Sequence, residues 1–432
     1  MNLNPTVLRC GIAVLAASSL FLARGQAVNV GDLAFHGSIS TTASYSPEYN
    51  YLGSTKGALD PNIVEVTLNS GYRWTNGLTA SAQVYGYRLD RYNGAIIDFA
   101  NLSYQASEAF GIRAGYIKQP GGLYSEVLDL DQVRPFAFLP LGTYQKIYRP
   151  MSNNFIGVST FGRIAIGLKS SLEYTLFFGT RDSAKGNTPL LAFQGNSGFA
   201  GLNKITFGNT YGGQVVWNTP IEGLKFQYCY FEQQNMNITG SVYNAADLAV
   251  MPNDSRMLPY FLGSATWNGY FAGSPVQYKS SLRQWYIGAE YAKGDWTFAV
   301  EYTPTNTTAD VTTIIPATII PRSNGTAGDS YYAMVTWQAL PKLSFGLYYN
   351  EAYANRDDRN GTQLHFVPSH RDFTKDLAFA TSYNLTKNWL VKAEVHAIKG
   401  TSMLRNDHSL NGNVSQWPES WGYYVLKTTF TF

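Results

Sequence analysis

The chain ends on residues 420–432, SWGYYVLKTTFTF. Read by parity, Tyr424, Leu426, Thr428, Phe430 and Phe432 share one face of a strand, and Tyr423, Val425, Lys427, Thr429 and Thr431 share the other. The first face asks for an apolar medium; the second tolerates water. Chain ends are ordinarily polar and frayed, and a terminal strand is an edge whose bare aromatic face invites aggregation. Pairing with the first strand of the same chain removes that edge. The tail therefore predicts a closed barrel, with Tyr424, Leu426, Phe430 and Phe432 on the closing wall.

The same alternation runs through the chain. NIVEVTLNSGYRW (62–74) sets Val64, Val66, Leu68, Tyr72 and Trp74 against Glu65, Thr67, Asn69 and Arg73. WTFAVEY (296–302) sets Trp296, Phe298, Val300 and Tyr302 against Thr297 and Glu301, and NWLVKAEVHAIKG (388–400) sets Trp389, Val391, Ala393, Val395 and Ala397 against Lys392, Glu394 and His396. Charges keep to the second face. A soluble sandwich would also alternate, so the connections have to decide. Short ones fall at Thr75–Gly77, Gln105–Phe110, Pro220–Gly223, Lys293–Asp295, Leu340–Lys342 and Leu385–Asn388. Long, mostly polar ones fall near 45–61, 118–153, 182–207, 237–280, 309–328, 357–372 and 400–419. Only Tyr92–Gly94 is short where a long one is due. Tight turns on one rim and long loops on the other are the layout of a transmembrane antiparallel β-barrel.

About sixteen segments are predicted, near 34–44, 62–74, 78–90, 95–106, 109–117, 154–162, 170–181, 208–219, 223–236, 281–293, 295–308, 329–340, 342–356, 373–385, 388–399 and 420–432. The segment at 154–162 is the weakest, which leaves fourteen or eighteen open. Lipid offers no hydrogen-bond partner, so β structure crosses it only when closed. A Lys or Arg facing lipid at mid-depth costs about 2 to 4 kcal/mol, and the apolar faces quoted above carry none. Trp74, Trp285, Trp296, Trp337, Trp389 and Trp421 lie near segment ends, where an aromatic girdle is expected.

The N-terminus gives the compartment. Residues 1–27, MNLNPTVLRCGIAVLAASSLFLARGQA, combine Arg9, an apolar run from Gly11 to Leu22 and small residues at Gly25 and Ala27. That is the layout of an export signal cleaved after Ala27, and the run is too short for the roughly 20 residues of a spanning helix. The mature barrel would then be 28–432. Cleavage removes Cys10 and leaves Cys229 alone, so no internal disulfide is available. Removing Arg9 and Arg24 takes the formal net charge from +3 to +1, which gives no basic field for nucleic acid. Charged residues make up only 14% while aromatic residues reach 15%, with 31 Tyr. Few soluble proteins have that balance.

Signal, alternating strands and terminal Phe432 make the chain resemble the porins of the Gram-negative outer membrane. The resemblance implies embedding in outer-membrane lipid, a C-terminal strand read by the barrel-assembly machinery, and a homotrimer. Residues 112–150, IRAGYIKQPGGLYSEVLDLDQVRPFAFLPLGTYQKIYRP, look like the stretch after the fifth strand in porins related to the phosphate-selective and dicarboxylate-type channels. In those relatives the third outer loop folds into the lumen, which implies a constriction over about 118–153. The chain lacks an evident inward run of Arg or Lys, so phosphate specificity is not carried over.

The long connection after Lys118 is itself too apolar for an exposed loop, with Leu123, Val127, Leu128, Leu130, Phe136, Phe138, Leu139 and Leu141. Folded inward, it would set Glu126, Asp129 and Asp131 against Lys146 and Arg149, with Arg134 between, Lys118 and Arg113 near the mouth, and a transverse field between the sets. Wall positions of matching parity are Arg73, Arg113, Lys225, Lys392 and Lys427 against Glu65, Glu173, Glu290, Glu301 and Glu394. The alternative is that Asp129, Asp131 and Arg134 form ion pairs that anchor the loop. The expected function is a weakly selective channel for small polar solutes, with at most a mild anion bias. Glu394 and His396 share a face and could pair as acid and base, although a polar lining is the plainer account. No metal-ligand spacing, nucleophile elbow or phosphate loop appears, and no cofactor is expected. A barrel-type lipase or protease, or an adhesin, is the alternative. Sixteen strands favour the channel, because narrow barrels fill with their own side chains.

Overall fold

The computed structural model describes residues 28–30, 33–89, 92–144, 146, 149–181, 199–242, 275–315, 318–362, 368–404, 411 and 416–432. Its strands are β1 (Val28–Val30), β2 (Leu33–Tyr45), β3 (Asp60–Arg73), β4 (Leu78–Leu89), β5 (Tyr92–Ser107), β6 (Phe110–Lys118), β7 (Asn154–Ala165), β8 (Ser171–Thr180) and β9 (Phe199–Thr206). They continue as β10 (Asn209–Asn218), β11 (Leu224–Val242), β12 (Pro275–Lys293), β13 (Trp296–Ile315), β14 (Thr318–Leu340), β15 (Leu343–Tyr353), β16 (Phe373–Asn384), β17 (Trp389–Gly400) and β18 (Ser420–Thr431). The predicted export signal lies outside the described residues.

One antiparallel sheet closes on itself as a barrel of sixteen strands. Its staves are β2 to β8 and β10 to β18. β8 pairs directly with β10, and β18 returns to β2, from Tyr424 opposite Tyr45 to Thr431 opposite Ser38. β1 only folds back on β2, and β9 lies against the outer end of β11. The seam is finished by Gly37 and Phe432, whose amides donate to each other's carbonyls at 2.9 and 3.0 Å. A Cβ on Gly37 would stand 2.5 Å from the Phe432 ring and 2.8 Å from the Thr67 carbonyl oxygen, so this position requires glycine.

Burial follows parity around the wall. On β13, Phe298 and Val300 are 48% and 52% exposed while their neighbours Ala299 and Glu301 are at 2% and 3%. On β18, Tyr424 and Leu426 face out, whereas Tyr423, Val425 and Lys427 are buried inside. The lumen-side Cys229 is buried as well. Near the short-turn rim, Trp296 stacks on Trp337 at 5.3 Å, Trp217 on Phe226 at 5.7 Å, and Trp74 meets Tyr72 edge-on at 4.6 Å. Trp421 does not belong to this girdle. It has inward parity, is buried, and its Nε1 donates to the Gly400 carbonyl at 3.0 Å.

Three of the expected long loops are partly strand. The ladder of β13 with β14 runs on to Ile315 opposite Thr318, and that of β11 with β12 to Ser241 opposite Pro275. β9 occupies part of the expected 182–207 connection. The physical reason lies in segments such as Asn306–Thr313, NTTADVTT. A ladder standing clear of lipid needs no apolar face, so hydrophobic alternation vanishes while β-branched Thr keeps the pairing favourable.

Candidate functional site

Between β6 and β7 the chain turns to the inner wall. Its base closes where the Gln119 amide donates to the Asn153 carbonyl at 2.7 Å. Short 3-10 turns at Ser125–Val127 and Asp131–Val133 bend it. Arg134 holds those turns together, donating from Nη1 to the Val127 carbonyl at 2.8 Å and from Nη2 to the Leu128 carbonyl at 2.7 Å. The apolar side of the loop is what drives it inward. Phe136, Leu139 and Tyr144 pack against Tyr332, Met334, Tyr348, Ala378 and Ala380 of the wall, while Ala137, Phe138 and Leu141 pack with Tyr85, Tyr87, Leu89, Tyr423 and Val425. Burying each such side chain is worth about 1.5 to 3 kcal/mol.

Backbone amides that this course strips of water are met by carboxylates of the wall. Glu394 accepts the amides of Ala137 at 2.7 Å and Phe138 at 3.1 Å. Glu301 accepts the amide of Leu123 at 2.7 Å and the Tyr144 hydroxyl at 3.0 Å. Glu290 accepts the Tyr124 hydroxyl at 2.9 Å and pairs with Lys225 at 2.8 Å. Behind Glu394, His396 stands between Glu394 at 3.1 Å and Asp376 at 3.0 Å, with the Tyr348 hydroxyl also on Asp376 at 3.0 Å.

Apart from Glu126, the charges of the loop are in contact with partners, which is the alternative to a transverse field that the sequence left open. At the base, Asp129 pairs with Arg149 and, at 3.1 Å, with Lys118. Arg149 also reaches Asp98 at 3.1 Å and lies over the Tyr85 ring. On the far wall, Asp131 takes Lys427 at 2.8 Å, Lys392 at 3.3 Å and the Thr429 hydroxyl at 2.7 Å. Lys146 meets Glu65 at 2.5 Å, and Lys427 completes the cluster at 3.4 Å from Glu65. Buried ions persist only when paired, so low-dielectric packing forces this closure. Burial alone would raise the Asp131 carboxyl, but Lys392, Lys427 and Arg134 hold it well below the usual range. Burial lowers the Lys146 ammonium to about 8, against the opposing pull of Glu65.

The other predicted residues divide by height. Glu126, Leu130, Gln132 and Val133 stay exposed on the loop. Arg113 is half-buried on β6, the strand that leads into the loop, with its guanidinium 4.8 Å above the Phe161 ring. Glu173 stands near the short-turn rim, 3.9 Å from Arg163, and Arg73 is exposed at the same rim. Neither joins the loop contacts described above. Asp98, Asp376 and Gln83 were missed. Asp98 sits at an irregularity in the β4–β5 register, where Gln83 and Val84 face Phe99 and Ile97. A bulge shifts the parity on which the reading depended. A cavity of about 610 Å³ remains beside the loop, bordered by Arg134, Lys146, Arg149, Arg181 and Tyr286 among others.

No protein-family model matches the sequence, and no curated protein matches it. Among solved structures, the chain is similar to outer-membrane expressed OmpT of Vibrio cholerae, at a TM-score of 0.52 and 10% identity over 94% of this chain and 100% of that one. It is similar to Salmonella typhi OmpF in complex with daunomycin, at 0.51 and 12% over 93% and 97%. The outer membrane channel DcaP of Acinetobacter baumannii matches at 0.50 and 10% over 94% and 99%. At such identities the likeness is one of fold: the chain has the sixteen-strand architecture of outer-membrane porin barrels.

Proposed function

We propose that the protein is a passive channel for small hydrophilic solutes in a Gram-negative outer membrane, exported by its N-terminal signal and narrowed by the segment 118–153. The observation that carries this reading is the loop anchored across a wide barrel, with an exposed side that carries Glu126 and Gln132 beside Leu130 and Val133. A sixteen-strand barrel is too wide to fill with its own wall side chains, so water occupies what the loop leaves. The far-wall cluster holds Lys146, Lys392, Lys427 and Arg134 around Glu65 and Asp131, and its surplus of cations favours a mild anion preference.

An enzymatic role has little to stand on. Glu394 and His396 are 1% and 2% exposed, sealed beneath the loop whose amides Glu394 accepts. No substrate reaches them while the loop is in place. The same reading includes a homotrimer packed through the aromatic outer wall, where Trp217, Phe226, Trp296 and Trp337 are exposed, and unheated gels in mild detergent should show a large heat-modifiable species. Planar-bilayer recording tests the main reading: discrete steps with a small anion preference are expected, and their complete absence from correctly folded protein would reject a channel.

A further inference from the structure

The inner wall changes character around the barrel. Glu65, Asp98, Lys392, Glu394 and Lys427 are buried on β3, β5, β17 and β18, yet no described residue that β11, β12 or β13 contributes to the cavity of about 610 Å³ is charged. Glu290 and Glu301 of those strands lie nearer the short turns, engaged with Tyr124 and Leu123 of the loop. The cavity has instead Phe231, Gln284, Tyr286, Thr303, Thr305 and Thr307. Phe231, Gln284 and Thr305 are register partners across β11, β12 and β13, which sets a ring, an amide and a hydroxyl in one row at steps of about 4.8 Å. Tyr286 stacks beside Phe231, with 6.5 Å between ring centroids and 23° between planes.

The charges that do border the cavity are already engaged by the protein. Lys146 meets Glu65, Arg149 meets Asp98 and Asp129, and Arg134 meets the Val127 and Leu128 carbonyls. Arg181 donates to Gln233 and to the Asn154 carbonyl at 2.9 Å each and to Gln119 at 3.2 Å. Asp329 is matched by Arg359. An ionic solute would have to break such contacts before making its own, and opening a buried ion pair is costly. Gln284, Thr305 and Thr307 are half-buried, and among the described residues their side chains have no hydrogen-bond partner. They are uncharged groups that both donate and accept. The matching solute carries hydroxyls that do the same, on a ring whose C–H faces suit Phe231 and Tyr286.

We propose that this sector is a binding subsite for a neutral saccharide of one or two rings, with its hydroxyls on Gln284, Thr305 and Thr307 and its C–H faces on Tyr286 and Phe231. The volume is in the range of small-molecule sites, in which apolar rings supply contact and a few placed polar groups supply orientation. The inference rests on the channel reading for its role in uptake, although not for binding itself.

Saturation-transfer NMR of the full chain in detergent, with maltose as probe, measures binding without requiring conduction. Wild type should show saturable transfer, and Gln284→Leu with Thr305→Val should raise the half-saturation concentration about tenfold, the loss expected for two neutral hydrogen bonds. Tyr286→Leu should weaken binding and reduce transfer to the sugar C–H protons. Glucuronate should bind no better than glucose. Heat-modifiable mobility and single-channel conductance of these variants should match wild type. Absence of saturable binding to wild type, equal binding by wild type and both variants, or tighter binding of glucuronate than of glucose overturns the proposal. Conductance steps without maltose binding reject the subsite alone, whereas maltose binding without conductance steps rejects the channel and leaves the subsite standing.

Discussion

At the scale of single residues, the loop separates charges that anchor from charges that the proposed channel would expose to solute. Asp129, Asp131, Arg134 and Arg149 are engaged in contacts with their backs to water, whereas Glu126 is exposed and Arg113 half-buried on β6. Arg113→Gln should therefore move the reversal potential in a salt gradient toward cations, and Glu126→Gln toward anions. One unit charge near a hydrated path is worth about 1 kcal/mol, or a factor of about five in the permeability ratio. Equal and unchanged selectivity in both variants would remove this pair from the mechanism. Lys146 adds a pH dependence. Its value of about 8 is depressed from 10.5, so the folded protein holds this proton less tightly than the unfolded chain does. Folding stability from this group rises as pH climbs from about 8 to 10.5, and the pore loses a positive charge over the first part of that climb. Anion preference should fall between pH 7 and 9 in wild type and fall less in Lys146→Gln.

At the scale of elements, deleting residues 123–141 should raise single-channel conductance about twofold or more, since the segment fills much of a lumen that wide barrels otherwise leave to water. Barrel closure should survive, because no stave contributes to the deleted span. An unchanged conductance from a folded variant would show that the loop does not limit flow. The strands were legible because two-sided solvation writes itself into alternate residues. Even the weak segment at 154–162 is β7, whose outward Val158 is 49% exposed. What escaped was structure without that contrast: the Thr-rich extension of β13 and its β14 partner above the lipid, inward Trp421, and Asp98 at a shifted register. The loop's anchoring carboxylates lay among the wall residues named from parity, but their partners are backbone amides, such as those of Ala137 and Phe138. Side-chain identity does not announce such a partner.

At the scale of the whole molecule, stability depends on a seam that joins the two ends of the chain. Every stave but one pair is joined through a connection, so β2 and β18 alone must find each other across the full length of the sequence, a costly loop to close. Phe432 contributes there twice, through reciprocal amide bonds with Gly37 and through a ring laid over that glycine. The terminal aromatic residue therefore has a mechanical role that does not depend on its being read by any assembly factor, and two substitutions separate the roles. Gly37→Val places side-chain carbon where the Phe432 ring and the Thr67 carbonyl already stand, an overpacking that costs about 1 to 3 kcal/mol. Phe432→Ala keeps the backbone pair and removes only the ring. Refolded from denaturant into lipid vesicles without any other protein, Gly37→Val should give a smaller heat-modifiable fraction and a lower unfolding temperature, and Phe432→Ala a milder loss of both. In cells, both should accumulate less in the outer membrane. If Phe432→Ala refolds like wild type in pure lipid, the ring has no mechanical part in closure; if Gly37→Val refolds like wild type, the seam does not limit closure.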